Sequence, residues 1–220
     1  MLISQALVTS VFPVIAGAAS LREPAARDVL RRALTLSLAA SLPLALGTAA
    51  VARPVMTTLY GERYAGGATA LALLMATLPL LFVTNLFGHC LGARGRQRAV
   101  LAVASANAIL NVALNLWLIP RWDLDGAALA TLATEALGLS LYLVFLRRDL
   151  GGAFHRPALV RVLGVNAALG LLLLAMRGQP WLVVVAAAVA LYAALLRLTG
   201  LVTGADLRAA LQPLAGRRAP

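Results

Sequence analysis

Long runs of uncharged residues alternate with short clusters of charge along the 220-residue chain. Residues 1–21 and 33–52 carry no charged side chain, and from Tyr64 to Ala93 only the neutral His89 interrupts an apolar run. Residues 99–120 form a fourth such run, and 126–146 a fifth, broken by the single acid Glu135. Residues 158–176, with Arg161 at the entrance, and 178–196 complete the set. A hydrocarbon layer about 30 Å thick is crossed by roughly 20 helical residues, so each run is long enough to span it. The pattern predicts an all-α polytopic membrane protein of about seven transmembrane helices. Five lie within 1–147, at about 1–20, 33–53, 67–92, 98–120 and 126–146. Two additional helices fall within 158–199, and a tail covers 200–220.

The intervals carry turn chemistry: Arg53-Pro54, Gly66-Gly67, Gly92-Ala93-Arg94-Gly95, Pro120, Gly151-Gly152, Pro157 and Gly178-Gln179-Pro180. Pro13, Pro43 and Pro79 fall inside spans and predict kinks, which membrane helices tolerate when neighbours satisfy the freed carbonyls. The tail beyond Gly204 has the makings of one short amphipathic turn.

Composition agrees. Hydrophobic residues make up 61% of the chain and charged residues 12%, against roughly half and a quarter in soluble domains. The net charge of +11 comes from 19 basic and 8 acidic residues. All the basic residues are arginines, so there is no lysine for a phosphate loop or a Schiff base. One cysteine (Cys90) and two histidines (His89 and His155) are too few for a disulfide framework or a zinc site. No paired carboxylates, HExxH or nucleophile elbow is present. The chain is therefore expected to be no enzyme and to carry no cofactor or metal.

In a soluble chain such basicity would point to nucleic acid; here no nucleic-acid partner is expected, because aromatics are only 5% and the arginines sit in clusters between spans. Arg22, Arg27, Arg31 and Arg32, then Arg94, Arg96 and Arg98, then Arg147, Arg148, Arg156 and Arg161, and finally Arg197, Arg208, Arg217 and Arg218 all fall on one side of the seven-span topology. Only Arg53, Arg63, Arg121 and Arg177 fall on the other. Arginine excess marks cytoplasmic loops, which puts the C-terminus inside and residue 1 outside. A signal-peptide reading of Leu2 to Ser20 lacks the basic leader and would reverse this distribution. An odd number of spans beginning outside suggests further helices upstream, with Met1 internal to a longer protein or the gene truncated.

Polar residues inside spans are the candidate functional groups, since each costs free energy unless it is paired or faces a cavity. Asn107, Asn111 and Asn115, at i, i+4 and i+8, form one stripe about 12 Å long on the fourth helix. Such amides bind either a neighbouring helix or a substrate. Glu135 lies near mid-membrane on the fifth helix, sharing a small-residue face with Ala128, Thr131, Gly138 and Tyr142. It is either a packing glutamate or a group that faces a cavity and couples to ions.

The string NVALNLWLIPRWDLDGAALATLATE, residues 111–135, resembles a stretch in the C-terminal half of polysaccharide flippases of the multidrug/oligosaccharidyl-lipid/polysaccharide exporter superfamily. Shared features are an asparagine-bearing helix, a proline, a short turn and a glycine- and alanine-rich helix. Phe12-Pro13, Pro43 and Leu59-Tyr60-Gly61-Glu62-Arg63-Tyr64 look like that family in the same order, so the resemblance covers about residues 1–150. It implies a partial flippase-type lobe, equivalent to helices eight to fourteen of fourteen, lacking its N-terminal lobe and one helix.

The implied activity is alternating-access export, across the bacterial inner membrane, of an oligosaccharide linked to undecaprenyl pyrophosphate. Its implied partners are membrane lipid, lipid-linked oligosaccharide and the missing N-terminal lobe of the same protein. Glu135 is then the candidate for proton or ion coupling. Arg53 and Arg63, at the outer ends of the second and third helices, are candidates for meeting the pyrophosphate on release; interfacial snorkelling is the plainer reading. His89, inside Gly88-x-x-x-Gly92, reads as part of a close helix contact. Asp123-Leu124-Asp125-Gly126 looks like the start of a calcium loop without its remaining ligands, and so reads as a turn whose acids cap the fifth helix. Rival readings are a cation-coupled drug or metabolite antiporter of the same superfamily, which would need more acids and aromatics in its cavity, and a polytopic enzyme that polymerises or ligates lipid-linked sugars. That enzyme would need a large outer loop, whereas the longest here is about residues 53–67. A non-functional remnant is a third.

Overall fold

A computed structural model describes Gly17, Leu21 and residues 23–150 and 156–201 of the chain. Among these residues there are helices and no strands. In chain order they are α1 (Pro24–Tyr60), the 3-10 helix η1 (Glu62–Gly67), α2 (Ala68–Ala76), α3 (Leu78–Ala93), α4 (Gln97–Leu146), α5 (Arg156–Ala175) and α6 (Trp181–Thr199). The 1–20 span with its Pro13, His155 and the tail from residue 202 lie outside the described residues.

α1 is the hub, packing against α2, α3, α5 and α6. With 37 residues it is about 55 Å long at 1.5 Å per residue, well beyond the bilayer core. The segment read as a charged loop at 22–32 is, from Pro24, the first turns of this helix. Pro24 can occupy the first turn because its missing N–H costs no helical bond there, and Arg27, Arg31 and Arg32 ride on turns that extend past the hydrocarbon. Pro43 lies deep inside α1 and leaves the carbonyl of Ala39 without its helical donor. The Tyr192 hydroxyl of α6 donates to that carbonyl over 2.5 Å.

The 67–92 segment lies within one apolar stretch, Glu62–Ala93, long enough to cross a membrane, and is divided at Thr77: α2 ends at Ala76 and Pro79 stands in the first turn of α3. Thr77 covers the break: its hydroxyl donates to the Leu74 carbonyl at 2.6 Å.

α4 is 50 residues of helix interrupted by non-helical backbone at Trp122 and Asp123, and it folds back on itself. A Cβ on Gly126 would collide with the Leu118 carbonyl, and one on Gly138 would lie 2.5 Å from the Asn107 amide nitrogen. Asn111 bonds Thr134. These pairings step in opposite directions along the chain, so residues 97–121 and 124–146 are the antiparallel arms of a hairpin. Asp123, at φ 44° and ψ −121°, adopts the backbone of the first central residue of a type II′ turn, which normally belongs to glycine. Arg96 ties the open end of the hairpin, donating to the Phe145 carbonyl at 3.0 Å and facing the Asp149 carboxylate at 3.5 Å.

Three apolar clusters fix which ends of the helices lie together. Leu30, Ala33 and Leu34 of α1 join Phe87 and Leu91 of α3, Val103 and Leu146 of α4, and Leu150. At the other end, Val51 of α1 packs with Leu169 and Leu173 of α5 and Val184 and Ala188 of α6, while Leu124 of the hairpin turn reaches Gly67. Val162, Val165 and Leu201 form a third cluster beneath Leu38 and Leu42. Arg53, Arg63, Arg121 and Arg177 thus share one end of the bundle, and Arg27, Arg31, Arg32, Arg94, Arg96, Arg98, Arg147 and Arg148 the other. Elsewhere the surface is hydrocarbon-like: Ile109, Leu116, Leu171, Val189 and Leu198 are all more than half exposed.

Candidate functional site

The α4 hairpin carries Asn107, Asn111, Asn115 and Glu135, but in two separate groups. The asparagine stripe faces the opposing arm. Asn115 donates from Nδ2 to Asn111 Oδ1 at 2.9 Å, and Asn111 Nδ2 lies 3.4 Å from Thr134 Oγ1. Thr134 in turn donates to the Ala130 carbonyl at 2.7 Å. Asn107 sits one turn further along, against Gly138, and its buried Oδ1 has no hydrogen-bond partner. The missing Cβ leaves room for the amide between the arms, and a larger residue at 138 would have to push the Asn107 amide aside. Of the three asparagines, Asn111 makes the bond that crosses between the arms, while Asn115 bonds Asn111 within its own arm.

Glu135 follows Thr134 directly and so points about 100° away around the helix, toward α3. It is half-buried, and its Oε2 lies 3.0 Å from Thr84 Oγ1. The same hydroxyl lies 3.1 Å from the Leu81 carbonyl. A hydroxyl has one proton to donate. If Glu135 is ionised, Thr84 donates to it. If Glu135 is protonated, the carboxyl can donate to Thr84, which then donates to Leu81. Rotating one hydroxyl therefore lets Thr84 act as donor or as acceptor toward Glu135.

Tyr142, two turns along from Glu135, touches α3 through Gly88, where a Cβ would stand 3.0 Å from the phenol oxygen. This is the close contact predicted for Gly88-x-x-x-Gly92, but only its first half: Gly92 has open space, and His89 between them is exposed. His89 points away from the contact because Gly88 and Leu91 occupy the packed face. Asn85, one turn before it, is exposed on the same side. Neither residue was singled out as a site by spacing alone; a polar i, i+4 pair inside an apolar span was the available signal.

Arg53 and Arg63 are exposed at the far end of the bundle, and no hydrogen bond joins them to the asparagines or to Glu135. Arg121, beside them, donates to the Trp117 carbonyl at 2.5 Å and lies 4.9 Å from the Trp117 ring, an arrangement typical of interfacial anchors. Asp123 takes part in the turn through its backbone. Asp125, expected to cap the second arm, has a buried Oδ1 without a hydrogen-bond partner.

The sequence pattern of the family described as Lipid II flippase MurJ matches residues 1–199. Among solved structures, one titled "Lipid II flippase MurJ, inward closed conformation" superposes with a TM-score of 0.72 at 15% identity. The match covers 88% of this chain and 43% of that one, so the chain spans under half the length of its structural relative. Comparison with curated proteins gives no match.

Proposed function

Because the chain belongs to the lipid II flippase family, whose pattern runs through residues 1–199, we propose that it forms the C-terminal part of a transporter that flips a lipid-linked sugar precursor across the bacterial inner membrane. The family match is the observation that carries this reading. The residues agree with it chemically. A headgroup of sugars on a pyrophosphate is large, polar and anionic, and no bond in it is broken. Such a transporter needs polar groups inside the membrane and a source of energy, and no nucleophile or metal.

The lobe described here would move as one half of an alternating-access pair, the other half being an N-terminal lobe of the same protein. Its arginine-rich end, including the C-terminus, would face the cytoplasm. The family favours the lipid-linked peptidoglycan precursor as cargo. The oligosaccharide for a surface polysaccharide, which the 111–135 string suggests, has the same pyrophosphate linkage and is the second reading. Glu135, with its two satisfied protonation states, is the group through which an ion gradient would act.

Depleting the full protein in cells tests this reading. Lipid-linked precursor should accumulate in the cytoplasmic leaflet, and the identity of the accumulated headgroup separates the two cargoes. Normal precursor levels and an intact wall and surface polysaccharide, in cells with no redundant exporter, would sink it.

A further inference from the structure

α3 exposes a different kind of side chain from the other long helices of the bundle. Of its 16 residues, only two are exposed, and they are Asn85 and His89, which with Thr84 are its polar side chains. The rest of the helix is buried or half-buried, with Val83, Leu86, Phe87, Cys90 and Leu91 in the main core. The other long helices instead expose large apolar side chains. The first arm of α4 exposes Leu101, Ile109, Val112 and Leu116, and α5 and α6 expose Leu163, Leu171, Val189 and Leu198. Those faces suit lipid tails. An amide and an imidazole do not, because a polar group left in hydrocarbon without a partner costs several kcal/mol, on the order of 4–8 in a fully apolar solvent.

Depth removes the simplest escape. Asn85 lies eight residues before the end of α3 at Ala93, about 12 Å from it at 1.5 Å per residue. An asparagine side chain is far too short to snorkel that distance. His89 follows one turn nearer the end, on the same side. Thr84, next to Asn85, holds the Glu135 carboxylate at 3.0 Å, so the strip adjoins the one acid of the membrane layer.

We propose that Asn85 and His89 form a water-facing strip on α3 that contacts the sugar and phosphate oxygens of the passing headgroup, an inference that rests on the flippase reading above. An amide and an imidazole each offer both a donor and an acceptor. They can therefore exchange one hydroxyl or phosphate oxygen for the next without holding any of them tightly, which a path, unlike a binding site, requires.

The test is thiol accessibility in the full protein, in membrane vesicles opened to both sides. The buried Cys90 is replaced by serine, and Asn85→Cys and His89→Cys are compared with Ile109→Cys and Leu116→Cys. A membrane-impermeant thiol reagent should label positions 85 and 89 about tenfold faster or more than 109 and 116, because the hydrated thiolate is the reacting species. Equal, slow labelling at all four positions would overturn the proposal, showing the strip to be covered by protein or lipid. Addition of a polyprenyl-pyrophosphate-linked disaccharide should then slow labelling at 85 and 89. Rapid labelling that ignores this lipid would overturn the contact with the headgroup. If wild-type protein fails to flip the lipid while labelling and protection persist, the flippase reading fails and the strip stands.

Discussion

The hydroxyl of Tyr192 donates to the carbonyl of Ala39 across 153 residues of sequence, at 2.5 Å, and that carbonyl is the one Pro43 deprives of its helical partner. The C-terminal pair of helices thereby satisfies the carbonyl that Pro43 frees within α1. Tyr192 packs among Val162, Val165, Leu38 and Leu42, so its ring is held by apolar neighbours while its oxygen makes the bond. Tyr192→Phe keeps the packing and removes the bond. It should lower stability by about 0.6 kcal/mol, the average for hydrogen bonds between membrane helices, and by no more than roughly 1.7 kcal/mol, read as unfolding in mild detergent. A variant as stable as wild type would show that Ala39 finds another donor.

Gly126 is the closest approach in the hairpin. A Cβ there meets the backbone of Leu118, whereas one on Gly92 or Gly164 meets nothing within 4 Å. Backbone cannot rotate aside as a side chain can. Gly126→Ala should destabilise by about 1–3 kcal/mol through overpacking, while Gly92→Ala and Gly164→Ala should be neutral or slightly stabilising. The same detergent unfolding assay on all three ranks them; equal behaviour would contradict the antiparallel register.

Asp123 is the only non-glycine residue at positive φ among the described residues. A glycine adopts that backbone freely, so Asp123→Gly should raise stability by about 1 kcal/mol, the low end of the cost of such strain. A fall in melting temperature would mean that the aspartate side chain holds the turn in a way its backbone angles do not reveal.

Glu135→Gln tests the coupling role. The amide is isosteric and can still pair with Thr84, so the fold should survive with unchanged stability. Transport should lose its dependence on the ion gradient and fall with it. Transport at the wild-type rate with unchanged pH dependence would assign Glu135 to packing alone.

The helical class and the hairpin were open to sequence reading for a plain reason: length without charge, punctuated by Arg121, Asp123 and Asp125, encodes spans and a turn. The ends of helices were less open. Arg27, Arg31 and Arg32 look like a loop because they are charged, yet charge ends the membrane and not the helix. Pro79 marks an interruption within the span Glu62–Ala93, but that the division falls at Thr77, with Pro79 in the first turn of α3, shows only in the backbone.

Site residues divide in the same way. The spacing of Asn107, Asn111 and Asn115 revealed a common face, but not that Gly138 and Thr134 occupy the space opposite. Gly88 and Gly92, flanking His89, make it look like part of a contact. Only the packing of Phe87 and Leu91 shows which side of α3 is left open.

The most direct measurement is translocation itself. The full protein, reconstituted into liposomes carrying a fluorescent polyprenyl-pyrophosphate-linked disaccharide, is assayed by the share of lipid accessible to an external quencher. The account predicts that the accessible share changes at a rate above that of protein-free liposomes, and that an imposed ion gradient drives the distribution away from equality in wild type but not in Glu135→Gln. A rate equal to that of protein-free liposomes, from protein shown to be folded by its unfolding transition, would contradict it.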